Sequence, residues 1–122
     1  MKIIKKEDIT NPFISPAGEI IYEMIGSANQ TGGTKNHSVA HVTLPAGKFS
    51  NAHYHKISEE TYYILSGKAN MIIDNQSFSL EPGQACLIMP NEVHQIFNNS
   101  KDSLEFLAIS APAFHDADSY FV

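Results

Sequence analysis

The chain of 122 residues contains no arginine, because all eight of its basic residues are lysine. It therefore lacks the planar guanidinium group that holds a phosphate or carboxylate through two parallel hydrogen bonds. This absence disfavours a heavily phosphorylated substrate. Positive charge is scarce as well, since thirteen acidic residues outnumber the eight lysines and give a net charge of −5. Such a chain has no electrostatic attraction to nucleic acid or to an anionic membrane surface, and we expect neither partner.

Cysteine and long apolar runs are also sparse. The single cysteine, Cys86, excludes an internal disulfide. No stretch approaches the roughly 20 apolar residues that a membrane span requires. The opening MKIIKKEDIT is too charged for the apolar segment of a signal peptide. We therefore expect a cytoplasmic protein without a membrane partner.

Helical periodicity is nowhere sustained, and the sequence predicts an all-β fold instead. Short stretches rich in β-branched and aromatic residues recur between turn-forming residues. The predicted strands are EIIYEMIG and HSVAHVTL, followed by residues 60–65, 69–73, 76–80, 84–89, 94–97 and 104–110. Asp74 and Asn75 predict a tight hairpin turn between the strands at 69–73 and 76–80. Strands at this spacing favour a barrel or jelly roll, which leaves few exposed sheet edges.

The stretch NAHYHKISEETYYIL contains the residues of a potential metal site. His53 and His55 are two residues apart, so on an extended strand both imidazoles project from the same face. Glu59 and Glu60 follow, and the next predicted strand returns one carboxylate to that face. His94 opens a later predicted strand and offers a fourth donor. Donors so far apart in sequence can meet on the inner wall of a closed sheet.

The spacing of these residues resembles the two motifs of the cupins, small double-stranded β-helix (jelly-roll) barrels. The first motif runs glycine, five residues, histidine, one residue, histidine, three or four residues, glutamate, six residues, glycine. It is matched by Gly47, His53, His55, Glu60 and Gly67. The second motif is matched by Gly83, His94 and Asn98.

The chain departs from the second motif at two positions, neither of which is a metal ligand in the family. Met89 and Asn91 stand where the family has a proline and a glycine. Asparagine tolerates a positive φ better than most residues, so we expect Asn91 to make the same turn.

The resemblance implies an all-β cupin barrel as a single domain over residues 1–122. Its core would occupy about residues 37–111, with N-terminal strands and a C-terminal tail added. The implied metal ligands are His53, His55, Glu60 and His94. Glu60 is preferred to Glu59 because only Glu60 leaves six residues before Gly67. As in many small cupins, we expect a homodimer, across which the terminal strands could pair.

The donor set indicates which metals would suit the site. Three neutral imidazoles and one carboxylate favour a divalent transition metal (Mn, Fe, Ni, Co or Zn) over Ca²⁺ or Mg²⁺, which prefer oxygen ligands. An octahedral ion held by these donors keeps two positions open, either for two oxygens of a hydroxy-carbonyl substrate or for one substrate oxygen and dioxygen. We expect no further cofactor.

Two functions of different classes fit these residues. The first is a metal-dependent enzyme acting on a small oxygen-rich metabolite such as a sugar or a hydroxy or keto acid, of isomerase/epimerase or dioxygenase type. The sequence resembles small cupins described as sugar-phosphate isomerase-like. The candidate bases are Tyr62, on the same strand face as Glu60, and His41, which borders the cavity if its strand face points inward. The alternative is a non-catalytic, metal-containing module that binds or senses a small molecule such as a sugar.

Overall fold

The computed structural model describes residues 1–122 and confirms the all-β prediction. The strands are β1 (Phe13–Ile14), β2 (Ile20–Ile25), β3 (Ser38–Leu44), β4 (His53–Tyr54), β5 (Glu59–Ser66), β6 (Ala69–Ile73), β7 (Gln76–Leu80), β8 (Ala85–Ile88), β9 (His94–Phe97), β10 (Leu104–Ala111) and β11 (Tyr120–Phe121). Single 3₁₀ turns at Lys6–Asp8, Asn29–Thr31 and Asp116–Asp118 are the only helices. No helix has the length and apolar character needed to cross a membrane.

The strands form two antiparallel sheets. The larger sheet has the order β1-β2-β3-β10-β5-β8, and the smaller one has the order β11-β4-β9-β6-β7. Strand neighbours are therefore often distant in sequence, as in a jelly roll. This crossing of the chain brings β4, β5 and β9 together around one interior.

The hydrophobic core lies between the inner faces of the two sheets. Alternate residues of each strand point inward, as β geometry requires. Phe106 on β10 lies opposite Val42 of β3 and Ile64 of β5, and all three side chains are buried. The buried apolar cluster consists of Val42, Leu44, Tyr62, Ile64, Ala69, Met71, Leu80, Ile88, Ile96, Leu104 and Phe106.

Two turn predictions are confirmed by backbone angles. Asp74 and Asn75 have φ values of 46° and 69°, and they join β6 to β7 with Ile73 opposite Gln76. Positive φ at both central positions is the geometry that a two-residue hairpin needs. Asn91 has a φ of 72°, so it makes the left-handed turn for which the cupin motif uses glycine.

The terminal segments complete the sheets of their own chain. β1 and β2 extend the larger sheet beside β3, and β11 pairs with β4 in the smaller sheet. The backbone partners of these segments lie within the same chain, and pairing of the terminal strands across a dimer stays a prediction. Residues outside the expected core of about 37–111 belong to the same pair of sheets.

Candidate metal centre

Four predicted metal ligands meet in the interior between β4, β5 and β9. His53 on β4 lies directly opposite His94 on β9, and Glu60 reaches the same point from β5. His55 follows β4 by one residue. One ligand atom from each of the four residues lies within 4.8 Å of the others. The sequence prediction that these donors converge is confirmed, and the cluster could hold one metal ion.

The three imidazoles are packed closely and are mostly shielded from solvent. The ring centroids of His53 and His94 are 4.3 Å apart, and that of His55 lies 5.1 Å and 5.6 Å from them. His55, Glu60 and His94 have relative exposures of 5%, 7% and 1%, whereas His53 is half-buried. Access to the cluster is therefore from the His53 side.

Backbone carbonyls set the tautomer of all three histidines. The Nδ1 atoms of His53, His55 and His94 lie 2.8, 2.9 and 2.9 Å from the carbonyl oxygens of Asn51, Asp118 and Glu92, respectively. A carbonyl oxygen only accepts hydrogen bonds, so each Nδ1 must carry the proton and donate. When an imidazole is neutral, its Nε2 lone pair is then free, as in the metal-bound histidines of proteins.

Three buried polar atoms at the centre of the cluster have no hydrogen-bond partner. They are His55 Nε2, Glu60 Oε1 and His94 Nε2. Glu60 Oε1 lies 3.5 Å from His55 Nε2 and 3.2 Å from His94 Nε2, and Ser110 Oγ donates to Glu60 Oε2 over 3.3 Å. Buried polar atoms are seldom left unpaired, and these are the donor types that a divalent transition metal takes. The residues present therefore fit such an ion.

The electrostatics of the cluster favour an ionised carboxylate beside a neutral His53. Burial, followed by the neighbouring His94, lowers the pKa of His53 to about 4. Burial raises the pKa of Glu60, but His55 and His94 stabilise the carboxylate and bring the pKa to a net value below its ordinary range. Burial lowers the pKa of His55, yet Glu60 and the Asp118 carbonyl outweigh this effect and raise it. Glu60 is thus the negative charge that a cation would meet.

A cavity of about 1060 Å³ opens onto the cluster. His53, His55, Glu60 and the buried Tyr62 form part of its lining. The Tyr62 ring centroid is 6.0 Å from that of His94, so the sequence prediction that Tyr62 lies beside the cluster is confirmed geometrically. Further walls come from β2, β3, β10 and residues 2–16 of the N-terminal segment. The space suits a small molecule.

His41 does not border this cavity, and the structure corrects its expected position. The alternation predicted for β3 is present, but Ala40 and Val42 line the cavity. His41 lies on the outer face, where Nε2 is 3.6 Å from Glu105 Oε1 and the ring packs edge-on against Tyr22. The smaller and more apolar face of β3 is the buried one because hydrophobic burial determines which face points inward. His41 is too displaced to act on a substrate in the cavity.

Glu19 is a functional candidate that the sequence reasoning missed. It directly precedes β2, whose register places Ile21 opposite Val42 and Glu23 opposite Ala40. Glu19 therefore shares the inward parity and lines the same cavity as the four-residue cluster. Alternation in EIIYEMIG was the available signal, but a strand face with two glutamates is normally assigned to solvent.

Burial raises the pKa of Glu19 to about 7, and the negative charge of Glu60 adds to this effect. The Ser15 hydroxyl lowers it by hydrogen bonding, and His94 lowers it by charge, but neither offsets the burial. A carboxyl group with a pKa near neutrality can both give and take a proton under physiological conditions. Glu19 is thus a candidate proton donor or acceptor in the cavity.

Replacing Glu19 with glutamine is expected to make stability less dependent on pH. The folded state holds the Glu19 proton more tightly than the unfolded chain, whose carboxyl has a pKa of 4.5. Stability from this group is therefore present below about pH 4.5 and is lost as the pH rises through about 7. In urea unfolding with a chelator present, the free energy of unfolding of Glu19→Gln should rise relative to that of wild type between about pH 5 and pH 8. Glu59→Gln, at the exposed start of β5, is the control. If the free energy of unfolding of wild type and of Glu19→Gln changed with pH in parallel, the raised pKa of Glu19 would be contradicted.

Comparison with known proteins supports the fold. A family model described as a cupin domain matches residues 40–110. An uncharacterized protein of Methanocaldococcus jannaschii is 38% identical over 120 residues, which cover 98% of this chain and 94% of that protein. An oxalate-binding protein of Thermotoga maritima is 33% identical over 70 residues, which cover 57% of this chain and 58% of the relative.

A solved structure supports the architecture independently of close sequence similarity. The crystal structure of an uncharacterized conserved protein with a double-stranded β-helix domain, from Klebsiella pneumoniae, matches with a TM-score of 0.78 and 19% identity. The match covers 100% of this chain and 97% of that one. At this identity the likeness shows the fold alone, and it confirms the predicted double-stranded β-helix.

Proposed function

The chain belongs to the cupin domain family, and from this premise we propose that it is a metal-dependent enzyme acting on a small oxygen-rich metabolite. His53, His55, Glu60 and His94 would hold one divalent transition metal. The observation that carries the proposal is the convergence of unpaired donor atoms on a cavity that also contains an inward-facing carboxyl group, Glu19. A structural barrel has no need for either feature.

The proposed reaction is a proton transfer, as in an isomerase or epimerase acting on a sugar or a hydroxy or keto acid. When bound, the metal would supply Lewis-acid stabilisation of charge on a substrate oxygen. Glu19 would exchange a proton with the substrate carbon or oxygen that faces β2, because its pKa lies close to neutrality. This property favours proton transfer over the dioxygenase type, which does not require such a group.

Tyr62 would act as a hydrogen-bond donor and not as the base suggested by the sequence. Its side chain is 3% exposed, and burial followed by the nearby negative charge of Glu60 raises the pKa of its hydroxyl well above the ordinary value. The hydroxyl therefore keeps its proton at neutral pH and can donate to a substrate oxygen. Apolar walls from Ile21, Val42 and Phe106 restrict water around the reacting groups.

Solvent isotope exchange over a panel of candidate compounds tests this proposal. The protein, loaded separately with Mn²⁺, Fe²⁺, Co²⁺, Ni²⁺ and Zn²⁺, is incubated in D₂O with aldoses, ketoses, hydroxy acids and keto acids. NMR should detect deuterium at a carbon next to a carbonyl in at least one compound. Glu19→Gln should reduce this exchange by about 10²-fold or more while the metal content is unchanged. Exchange that is equal in Glu19→Gln and wild type would remove Glu19 from the mechanism.

A non-catalytic binding module is the second candidate. The observation that favours it is the oxalate-binding relative, which is 33% identical over 70 residues, or 57% of this chain. In that case, oxalate or another small oxygen-rich ligand would shift NMR signals of cavity residues, and no compound of the panel would take up deuterium. Deuterium exchange over the panel, together with NMR spectra of the protein titrated with oxalate, therefore separates the two functions.

We further propose that a second copy of the chain is the macromolecular partner, as expected from the family resemblance. Tyr63, Leu65 and Leu87 lie on the outer face of neighbouring strands β5 and β8, with exposures of 39%, 41% and 55%. An exposed apolar group of this kind supports self-association. The homodimer stays a prediction.

A further inference from the structure

The C-terminal segment, residues 115–122, makes an unusual set of contacts with the loop that carries His55. Within this segment, Asp118 contacts the loop through both its side chain and its backbone carbonyl. The carboxylate accepts hydrogen bonds from three consecutive N–H groups, those of Lys56 (2.9 Å), Ile57 (3.1 and 3.3 Å) and Ser58 (3.0 Å). The Asp118 carbonyl accepts a hydrogen bond from His55 Nδ1 over 2.9 Å.

These contacts act on the chemistry of His55 as well as on the shape of the loop. The carbonyl forces the proton onto Nδ1 and leaves Nε2 to face Glu60 and His94. If Asp118 moved away, only the longer contact to Ser119 Oγ, at 3.4 Å, would hold the proton on Nδ1, and the proton could move to Nε2. The imidazole would then present an N–H group, which cannot bind a metal, for part of the time.

The remainder of the segment holds the neighbouring ligand, His53. Phe121 lies opposite His53 in the register of β11 and β4, and Tyr120 lies opposite Tyr54 with its ring stacked at 5.3 Å. Val122 N–H donates to the Ala52 carbonyl over 3.2 Å. Both histidine ligands of the first motif are thus positioned by a segment more than 60 residues later in the chain.

Asp118 is well placed to couple the segment to the cluster because it is itself buried. Its exposure is 7%, and its short 3₁₀ turn is fixed by the bond from Asp118 N–H to the His115 carbonyl at 3.0 Å. A buried carboxylate needs hydrogen-bond donors, and the only donors that contact it are the three loop amides. The carboxylate therefore has one stable position, and the carbonyl that orients His55 has one as well.

We propose that Asp118 is a positioning residue of the metal centre, through which the C-terminal segment fixes the His55 tautomer and preforms the metal site. This inference rests on the proposed metal binding. It predicts that the segment controls metal affinity without contributing a ligand. Residues that orient metal-bound histidines commonly change metal affinity by about 10- to 100-fold when they are replaced.

The test measures two quantities for wild type, Asp118→Ala, Asp118→Asn and the control Asp116→Ala. The first is the Kd for Zn²⁺, from competition with a fluorescent chelator. The second is the tautomer of each histidine in the metal-free protein, from long-range ¹H–¹⁵N NMR spectra. Asp116→Ala removes one negative charge from the same 3₁₀ turn, and the Asp116 side chain makes no hydrogen bond with the loop that follows His55.

Asp118→Ala should raise the Kd for Zn²⁺ by about 10-fold or more and should give a mixture of tautomers at His55 with no change at His94. Asp118→Asn keeps one acceptor oxygen for the loop amides, so its effect should be smaller. It also provides the measurement if the alanine variant does not fold. The Asp116→Ala protein should match wild type in both quantities.

Wild-type affinity for Zn²⁺ and a single His55 tautomer in both Asp118 variants would overturn the inference, even if their melting temperatures fell. A wild-type protein that binds none of the tested metals would instead refute the proposed function. The His55 tautomer would still decide the role of Asp118 in that case, so the two failures are distinguishable.

Discussion

Replacing His53 and His94 together with alanine is expected to remove bound metal from the purified protein. Wild type should contain on the order of one equivalent of Mn, Fe, Ni, Co or Zn, and the double variant less than about one tenth of that. The physical reason is that the two residues face each other across β4 and β9 and supply half of the converging donors. Elemental mass spectrometry of the purified proteins, before and after reconstitution, measures the difference.

His41→Ala is the matched control for this experiment. It also removes an imidazole from a strand of the same barrel, but from the outer face, where His41 contacts Glu105. Its metal content should equal that of wild type. Two results would count against the proposed site: metal retained by the double variant, or wild type that remains metal-free after reconstitution with all five ions.

Gly67→Ala is expected to cause the largest loss of stability among single methyl additions at the glycines. Gly67 has a φ of +85°, and a Cβ atom there would lie 2.7 Å from the Ser103 carbonyl oxygen and 2.9 Å from Leu104 Cα. The left-handed backbone costs a non-glycine residue roughly 1–2 kcal/mol, and overlap with fixed backbone atoms adds roughly 1–3 kcal/mol. We expect a decrease in the free energy of unfolding of about 2–5 kcal/mol, measured by urea denaturation.

Gly47→Ala separates the two contributions. Gly47 has a similar φ of +75°, but no atom lies within 4 Å of the position that its Cβ would take. Only the backbone term remains, so the loss should be about 1–2 kcal/mol. Equal losses for the two variants would show that the close approach to β10 is not the reason for glycine at position 67.

Much of the fold followed from local patterns. The strand bounds predicted for 69–73, 76–80 and 94–97 agree with β6, β7 and β9, because the turns that separate them contain residues with specific backbone preferences. Asp74, Asn75 and Asn91 adopt the positive φ that their side chains tolerate. The choice of Glu60 over Glu59 followed from the spacing of the cupin motif that the sequence resembles, and the observed cluster contains Glu60.

Other features depended on how the strands pack. The alternation of side chains divided β3 into two faces but did not determine which face points inward. The predicted position of His41 was therefore wrong. Glu19 was missed for the same reason. The strand face that it shares with Glu23 has the polar pattern of a solvent-exposed face, and only the assembled sheets show that this face lines a cavity. In each case burial is a property of the assembled sheets and not of the strand alone.

The sequence by itself therefore determined the β class and the turns, since these depend on backbone preference, and its resemblance to the cupin motifs implied the four converging donors. The tertiary structure decided which groups surround the donors. It brought Glu19 to the cavity from the edge of β2, and it placed the Asp118 carbonyl on His55 across 63 residues. Contacts over such a separation arise only when the two sheets close around a common interior, because no local pattern specifies them.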